Sequence, residues 1–364
     1  MTKKQVIRMI CFGLVVCFFL CILCDLFELK NSSNYDKRFT TYRKLNEDTI
    51  DVAMIGTSGI DRYWIAPKAY EEYGMTTYTL TADAMPTWLY TNILDEVFTY
   101  QNPKLIVVDL RSFGQTNTEE DSMDARGRRV LDSMNFYSLN RVKTAFDVME
   151  FMHENFEDKP RFDISYLLPY IKYHTMWSED DYTIEHNWGN KEHEYLSFYM
   201  SKTLSMQVDE RENVVYDSEI YKELDPIAEK SFYDLLDYAE SKGVELLFVD
   251  TPQFKNETEM GRANTLIKML EENGIKYINY CETDEEGNFL YDLNLDPKTD
   301  FYNAGHTNYY GAEKFTDVFA KYLNENYELA DHREDPVVQE QWDGVYWKLT
   351  EKIANWEESL KGDK

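Results

Sequence analysis

The 364-residue chain predicts a doubly wound α/β domain of three layers around five parallel strands, and three observations carry that expectation. Short apolar runs of strand length recur at 52–55, 77–80, 105–110, 244–249 and 275–280. Segments with apolar residues at helical spacing lie between them, an alternation that calls for a parallel sheet with helices on both faces. The first run, Val52-Ala53-Met54-Ile55, passes directly into Gly56-Thr57-Ser58-Gly59, where a chain leaves a parallel sheet and a new helix offers its unpaired N–H groups.

Taken in order, the elements begin outside that domain. From Met9 to Cys24 every residue except Gly13 is apolar, and Leu26-Phe27 extend the run to roughly 19 residues, the length of a membrane-spanning helix. A cleaved signal peptide is the competing reading, but bulky Ile22-Leu23-Cys24 stands where small residues would precede a cleavage site. Lys3, Lys4 and Arg8 before the span are balanced by Lys30, Lys37, Arg38, Arg43 and Lys44 after it, so charge leaves the orientation open. A short tail before one span and a large domain favours the N-terminus inside. Residues 1–28 are then tail and transmembrane anchor, 29–48 a polar tether, and 49–330 the α/β domain.

Helices are expected at 63–73 and 88–100, between the first three strands. Residues 112–225 hold few strand-like runs but many aromatics and charges, with helical periodicity at 137–156 and 164–177, and are expected to form a mostly helical insertion. The α/β rhythm resumes with helices at 227–242 and 259–273, where Gly243 and Gly274 fall at C-cap positions. A last helix, 309–327, follows His306. Within 331–364, Trp342, Val345, Leu349, Ile353, Trp356 and Leu360 recur every three or four residues, an amphipathic helix suited to packing on the domain or on a partner protein.

Composition narrows the function. A formal charge of −29 repels nucleic acid and other polyanions unless a local basic pocket overrides it, so no nucleic-acid partner is expected. Four of the five cysteines sit in the apolar run and leave Cys281 alone, which rules out a disulfide framework in the rest. The histidines show no metal-ligand spacing, His186 and His193 being at most a pair on one helical face, so no metal and no cofactor is expected. Aromatics at 15% suit both stacking on sugar rings and ordinary packing.

Ser58 reads either as a helix N-cap or as a nucleophile presented at the strand's carboxyl end. Asp300-Phe301-Tyr302-Asn303-Ala304-Gly305-His306 supplies an imidazole, and the two features together suggest acyl chemistry. Serine first and histidine last, just before the final helix, resembles the SGNH hydrolase superfamily, with its flavodoxin-like sheet. Ile55-Gly56-Thr57-Ser58 with Arg62, the segment from Tyr78 to Pro86, Pro103 to Arg111, and Asp300-Phe301-Tyr302 leading to His306-Thr307-Asn308-Tyr309 look, more narrowly, like its membrane-anchored group. That group includes the teichoic-acid D-alanylation protein DltD and the alginate O-acetylation proteins. The likeness covers roughly residues 50–325.

The resemblance implies Ser58 as nucleophile and His306 as base. The residue three before the histidine, Asp in the superfamily, is Asn303 here; Asp to Asn lowers turnover about 10⁴-fold in a serine protease. Asp300 is the alternative if its loop folds back. Oxyanion donors are expected at the backbone of Ser58 and Gly59, with Thr81 or Ala82 in the place of a family glycine. Arg62, Asp83 and Arg111 are candidates to line the substrate crevice, or ordinary surface ion pairs. His174 with Trp177 resembles a His-x-x-Trp element of the group, with Met176 where Arg is usual. The implied activity is that of a membrane-tethered, extracytoplasmic acyltransferase or esterase acting on O-acyl groups of a cell-surface glycan, partnered by a membrane-bound O-acyltransferase. The chain's charge favours a neutral polymer over a polyanionic one. The other reading, favoured by Asn303 and Thr81, is a noncatalytic glycan-binding or assembly subunit.

Overall fold

In this computed structural model, which describes residues 1–27, 35–178, 192–198, 219–282, 291 and 293–362, five strands form one parallel sheet. They are β1 (Val52–Gly56), β2 (Thr77–Thr81), β3 (Leu105–Asp109), β4 (Glu245–Asp250) and β5 (Lys276–Asn279). Their order is β2-β1-β3-β4-β5, all pairs parallel, with Val52 opposite both Thr77 and Leu105, Leu105 opposite Glu245 and Leu247 opposite Lys276. This is the flavodoxin-like order, whose switch point lies between β1 and β3. The strand residues explain their own placement: β1, β2 and β3 are buried at every position, as a sheet covered on both faces requires. Lys276 on β5 is exposed, a charge that blunts the sheet's edge.

Parallel neighbours need crossover connections, and helices supply them. Helix Ala66–Tyr73 follows β1 and packs with helix Tyr309–Asn326, joined by Lys68 to Asp317 at 2.8 Å. Helix Tyr90–Tyr100 packs with helix Pro226–Lys242, where Tyr238 donates to Asp95 at 2.8 Å and its ring meets Phe98. Helix Glu257–Glu272, begun by an Asn256 capping box with Glu259, leads from β4 to β5. The C-terminal segment is two helices, Pro336–Trp342 and Val345–Gly362, rather than one. Leu349 and Ile353 of the second pack against Ile65, Tyr309 and Ala312, while the Leu360 side chain lies outside the described residues.

The chain divides into two compact units, Met1–Thr40 with Glu119–Lys191 and Thr41–Thr118 with Glu192–Lys364; the sheet belongs to the second. The first unit contains helices Glu120–Ser133, Leu139–Asn155 and Pro169–Tyr173. There the Arg128 guanidinium lies 3.8 Å over the Tyr166 ring, and Tyr166 donates to Asp124, which also accepts from Arg128. Its leading helix, Lys3–Leu26, opens with a Thr2–Gln5 capping box. At 1.5 Å per residue it is about 36 Å long, and the mean hydropathy of its most apolar 18-residue window is 2.8, so it is long and apolar enough to cross a membrane. A signal sequence passes the same test.

Candidate active site

The site is built where the switch-point rule puts it, outside the carboxyl ends of β1 and β3. β1 ends at Gly56, whose φ of 154° and missing Cβ let it lie against the end of β3: a Cβ there would stand 2.2 Å from the Cβ of Asp109. Asp109 is fully buried. Its Oδ2 accepts from the Thr57 backbone N–H at 3.1 Å and from the Thr57 hydroxyl at 2.5 Å, and its Oδ1 accepts from the Arg111 N–H at 3.1 Å. Burial pushes the Asp109 carboxyl above the usual carboxylate range, against the opposing pull of Arg111 and the Thr57 hydrogen bonds.

Thr57 is the N-cap of the short helix Ser58–Asp61: its Oγ1 accepts from the Gly59 N–H at 3.2 Å. Ser58 is therefore released from capping. Its hydroxyl instead meets His306 Nε2 at 2.7 Å. His306 belongs to a two-stranded turn, Phe301–Asn303 paired with His306–Thr307, just before the helix capped by Asn308. The other ring nitrogen, Nδ1, lies 2.8 Å from Asn303 Oδ1. The same Oδ1 accepts from the Gly305 backbone N–H at 3.0 Å, a group that can only donate. That bond fixes the amide with its oxygen toward the ring, so Nδ1 carries the proton and Nε2 is left to accept the Ser58 hydroxyl.

Asp300 is not the orienting residue. Its carboxylate is buried and engaged elsewhere, accepting from Lys314 Nζ at 2.7 Å and from the Asp296 N–H at 2.6 Å, where it ties the turn to the last helix. Among the described residues it is Asn303 that meets His306 Nδ1.

Arg111, one residue past the start of the 3₁₀ turn that follows β3, reaches the centre of the site. Its Nη2 lies 3.3 Å from Ser58 Oγ and 3.4 Å from His306 Nε2, while Nη1 donates to the Gly305 carbonyl at 2.5 Å and to Gln253 Oε1 at 3.3 Å. Gly59 makes room for this: a Cβ there would come within 2.6 Å of Asp109 Oδ2 and 2.8 Å of Arg111 Nε. The Tyr302 ring stacks on His306 at 5.3 Å and 11°, and its hydroxyl accepts from Arg62 at 2.7 Å. Burial, then the Arg111 and Arg62 charges, drive the His306 pKa from its ordinary 6.5 down to about 2. The imidazole is neutral at every physiological pH and reluctant to charge.

Other expected residues are placed differently. Arg62 and Asp83 pair with each other at 3.6 Å, and Arg62 acts on the site through Tyr302 and its charge rather than by lining the cleft. Thr81 is buried at the end of β2, with its hydroxyl donating to Asp61 at 3.0 Å. The Gly59 N–H is taken by the Thr57 cap, which leaves the Ser58 N–H, at a helix position with no intrahelical acceptor, as the backbone donor nearest the hydroxyl. His174 lies in the first unit, its Nδ1 bonded to the Ile171 carbonyl at 3.0 Å, and the Trp177 side chain and His186 fall outside the described residues.

Ser58 and His306 line a cleft of about 310 Å³ with Arg111, Gln253, Lys255, Arg262 and apolar Leu110, Ala263 and Leu266. Ala84, at an unfavourable φ of 50°, forms part of its wall. Nothing in the sequence pattern singled out Gln253 or Arg262. Tyr302 had a weak one, an aromatic four residues before the histidine.

No protein-family model and no curated protein matches the chain. Among solved structures it is similar to a Bacteroides fragilis protein provisionally assigned as an acylhydrolase, at 10% identity over 81% of this chain and 96% of that one, with a TM-score of 0.35. It is also similar to a GDP-L-fucose synthetase from Naegleria fowleri at 10% identity over 79% of this chain and 97% of that one, with a TM-score of 0.13. Likenesses this faint say nothing of chemistry.

Proposed function

We propose that this chain is a membrane-tethered serine acyltransferase or esterase of SGNH type, acting outside the cell on O-acyl groups of a surface glycan. The observation that carries the reading is the continuous chain from Ser58 Oγ through His306 to Asn303 Oδ1, at 2.7 and 2.8 Å, opening on a cleft. Ser58 Oγ attacks the acyl carbon as its proton passes to His306 Nε2. The imidazolium returns that proton to the departing alkoxide, and water or a sugar hydroxyl repeats the sequence to release the acyl group. Arg111 Nη2 and the Ser58 N–H are the donors nearest the oxyanion that forms. The apolar N-terminal helix would anchor the chain with its N-terminus inside, beside a membrane-bound O-acyltransferase that supplies acyl groups.

One observation favours the second reading, a glycan-binding or assembly subunit that keeps the fold. His306 has two guanidinium groups near it and no carboxylate at Nδ1, so the imidazolium needed in the transition state is poorly stabilised. Yet the large loss seen on replacing Asp by Asn in a serine protease comes with the wrong tautomer, and here Gly305 enforces the right one. Hydrolysis of p-nitrophenyl acetate by the full-length protein in detergent decides between them. Turnover abolished by Ser58→Ala is expected; turnover indistinguishable between the two proteins moves the assignment to the noncatalytic subunit.

A further inference from the structure

Three cations line the cleft, and two of them are committed. Arg111 is bonded to Gly305, Gln253 and Ser58, and Lys255 is buried in an ion pair with Asp250. Arg262 is different. Its Nη1 donates to the Gly114 carbonyl at 2.7 Å, and among the described residues its buried Nε finds no acceptor. The carboxylate three residues before it, Glu259, bonds the Asn256 N–H in the helix cap, and among the described residues no ion pair joins it to Arg262. A guanidinium on a cleft wall with no carboxylate paired to it is the side chain best matched to a planar carboxylate, through charge-assisted hydrogen bonds. Ala263 and Leu266 make the wall near it partly apolar; Gln115 and Glu259 also line the cleft, with the Glu259 carboxylate held at the Asn256 cap.

We propose that the substrate worked on at Ser58 carries a carboxylate, and that Arg262 receives it. This rests on the acyl-transfer reading above and adds the substrate's charge. It runs against the whole-molecule field: at −29 the protein repels anions, so without a dedicated cation an anionic ester should be the poorer substrate. Two pairs of esters distinguish a carboxylate on the acyl group from one on the leaving group. p-Nitrophenyl hemisuccinate against its methyl ester places the charge on the acyl group; 4-acetoxybenzoate against its methyl ester places it on the leaving group.

In the full-length protein, at least one acid is expected to exceed its own methyl ester in kcat/KM by about 10- to 100-fold, as a charge-assisted fork contributes. In Arg262→Gln that ratio falls to one or below, and in Arg262→Lys, which keeps the charge but not the fork, it falls part of the way. Because each ratio is internal to one variant, a general loss of folded protein cancels. Both acids trailing their methyl esters in the unmodified protein, or a ratio that survives Arg262→Gln, overturns the proposal. Should no ester be turned over at all, the acyl-transfer reading fails on its own, and calorimetric titration decides the inference. Binding of monomethyl succinate or 4-acetoxybenzoate that Arg262→Gln abolishes upholds the carboxylate site; absence of binding refutes it.

Discussion

Asn303→Asp puts a carboxylate where the amide oxygen now lies 2.8 Å from His306 Nδ1. The Gly305 N–H, 3.0 Å away, would bond the new oxygen as it does the old one, so the turn keeps its shape. With charge centres about 4 Å apart and an effective dielectric near 20, imidazolium and carboxylate attract by about 4 kcal/mol, nearly three pKa units. His306 should therefore rise from about 2 to roughly 5. If about half of that stabilisation is expressed in the transition state, kcat/KM for p-nitrophenyl acetate rises about 30-fold. The assay is a pH–rate profile of the full-length protein alongside a histidine titration by NMR. Because the base must be neutral, the variant's activity should climb through a limb centred near pH 5, while the unmodified protein shows no such limb above about pH 3. A His306 titration that does not move, or a rate that falls, refutes the claim that a missing charge at Nδ1 is what limits this site.

Gly59→Ala forces a Cβ to within 2.6 Å of Asp109 Oδ2 and 2.8 Å of Arg111 Nε, and should cost about 1–3 kcal/mol in denaturant unfolding while lowering esterase activity at least tenfold. His306 also makes stability depend on pH. Its folded pKa, about 2, lies below the ordinary 6.5, so the unfolded chain takes up the proton first; stability is undiminished above 6.5 and falls as pH drops from there toward 2. Urea unfolding at pH 7.5 and 4.5 should show a smaller loss in His306→Gln than in the unmodified protein. Removing residues 1–27, which contain the apolar helix, should release the protein from a carbonate-washed membrane fraction that retains the full chain; equal retention of both contradicts a span there.

The sheet was legible because its strands are buried on both faces and read as short apolar runs. All five were found within a residue or two of their ends, and the α/β rhythm set their direction. The Ser58–His306 pairing was legible from the order and type of two segments. What decides the site's chemistry was not. Whether Asn303 or Asp300 meets the ring depends on how a tight turn folds, and Lys314, on the following helix, draws Asp300 away. Arg111 looked like one more residue beyond a strand end, because its approach to Ser58 needs the space left by Gly59, in the short helix that follows another strand. Arg262 lies inside an amphipathic helix, where a lone charge ordinarily faces water, and only tertiary packing turns it into the cleft.

The Ser58 hydroxyl, paired with a correctly tautomerised imidazole, should be nucleophilic. Intact-mass analysis of the full-length protein after treatment with a fluorophosphonate tests it most directly. One adduct is expected, mapped to the peptide containing Ser58, absent from Ser58→Ala and formed more slowly in His306→Gln. An unlabelled protein, or an adduct that persists when Ser58 is replaced, contradicts it.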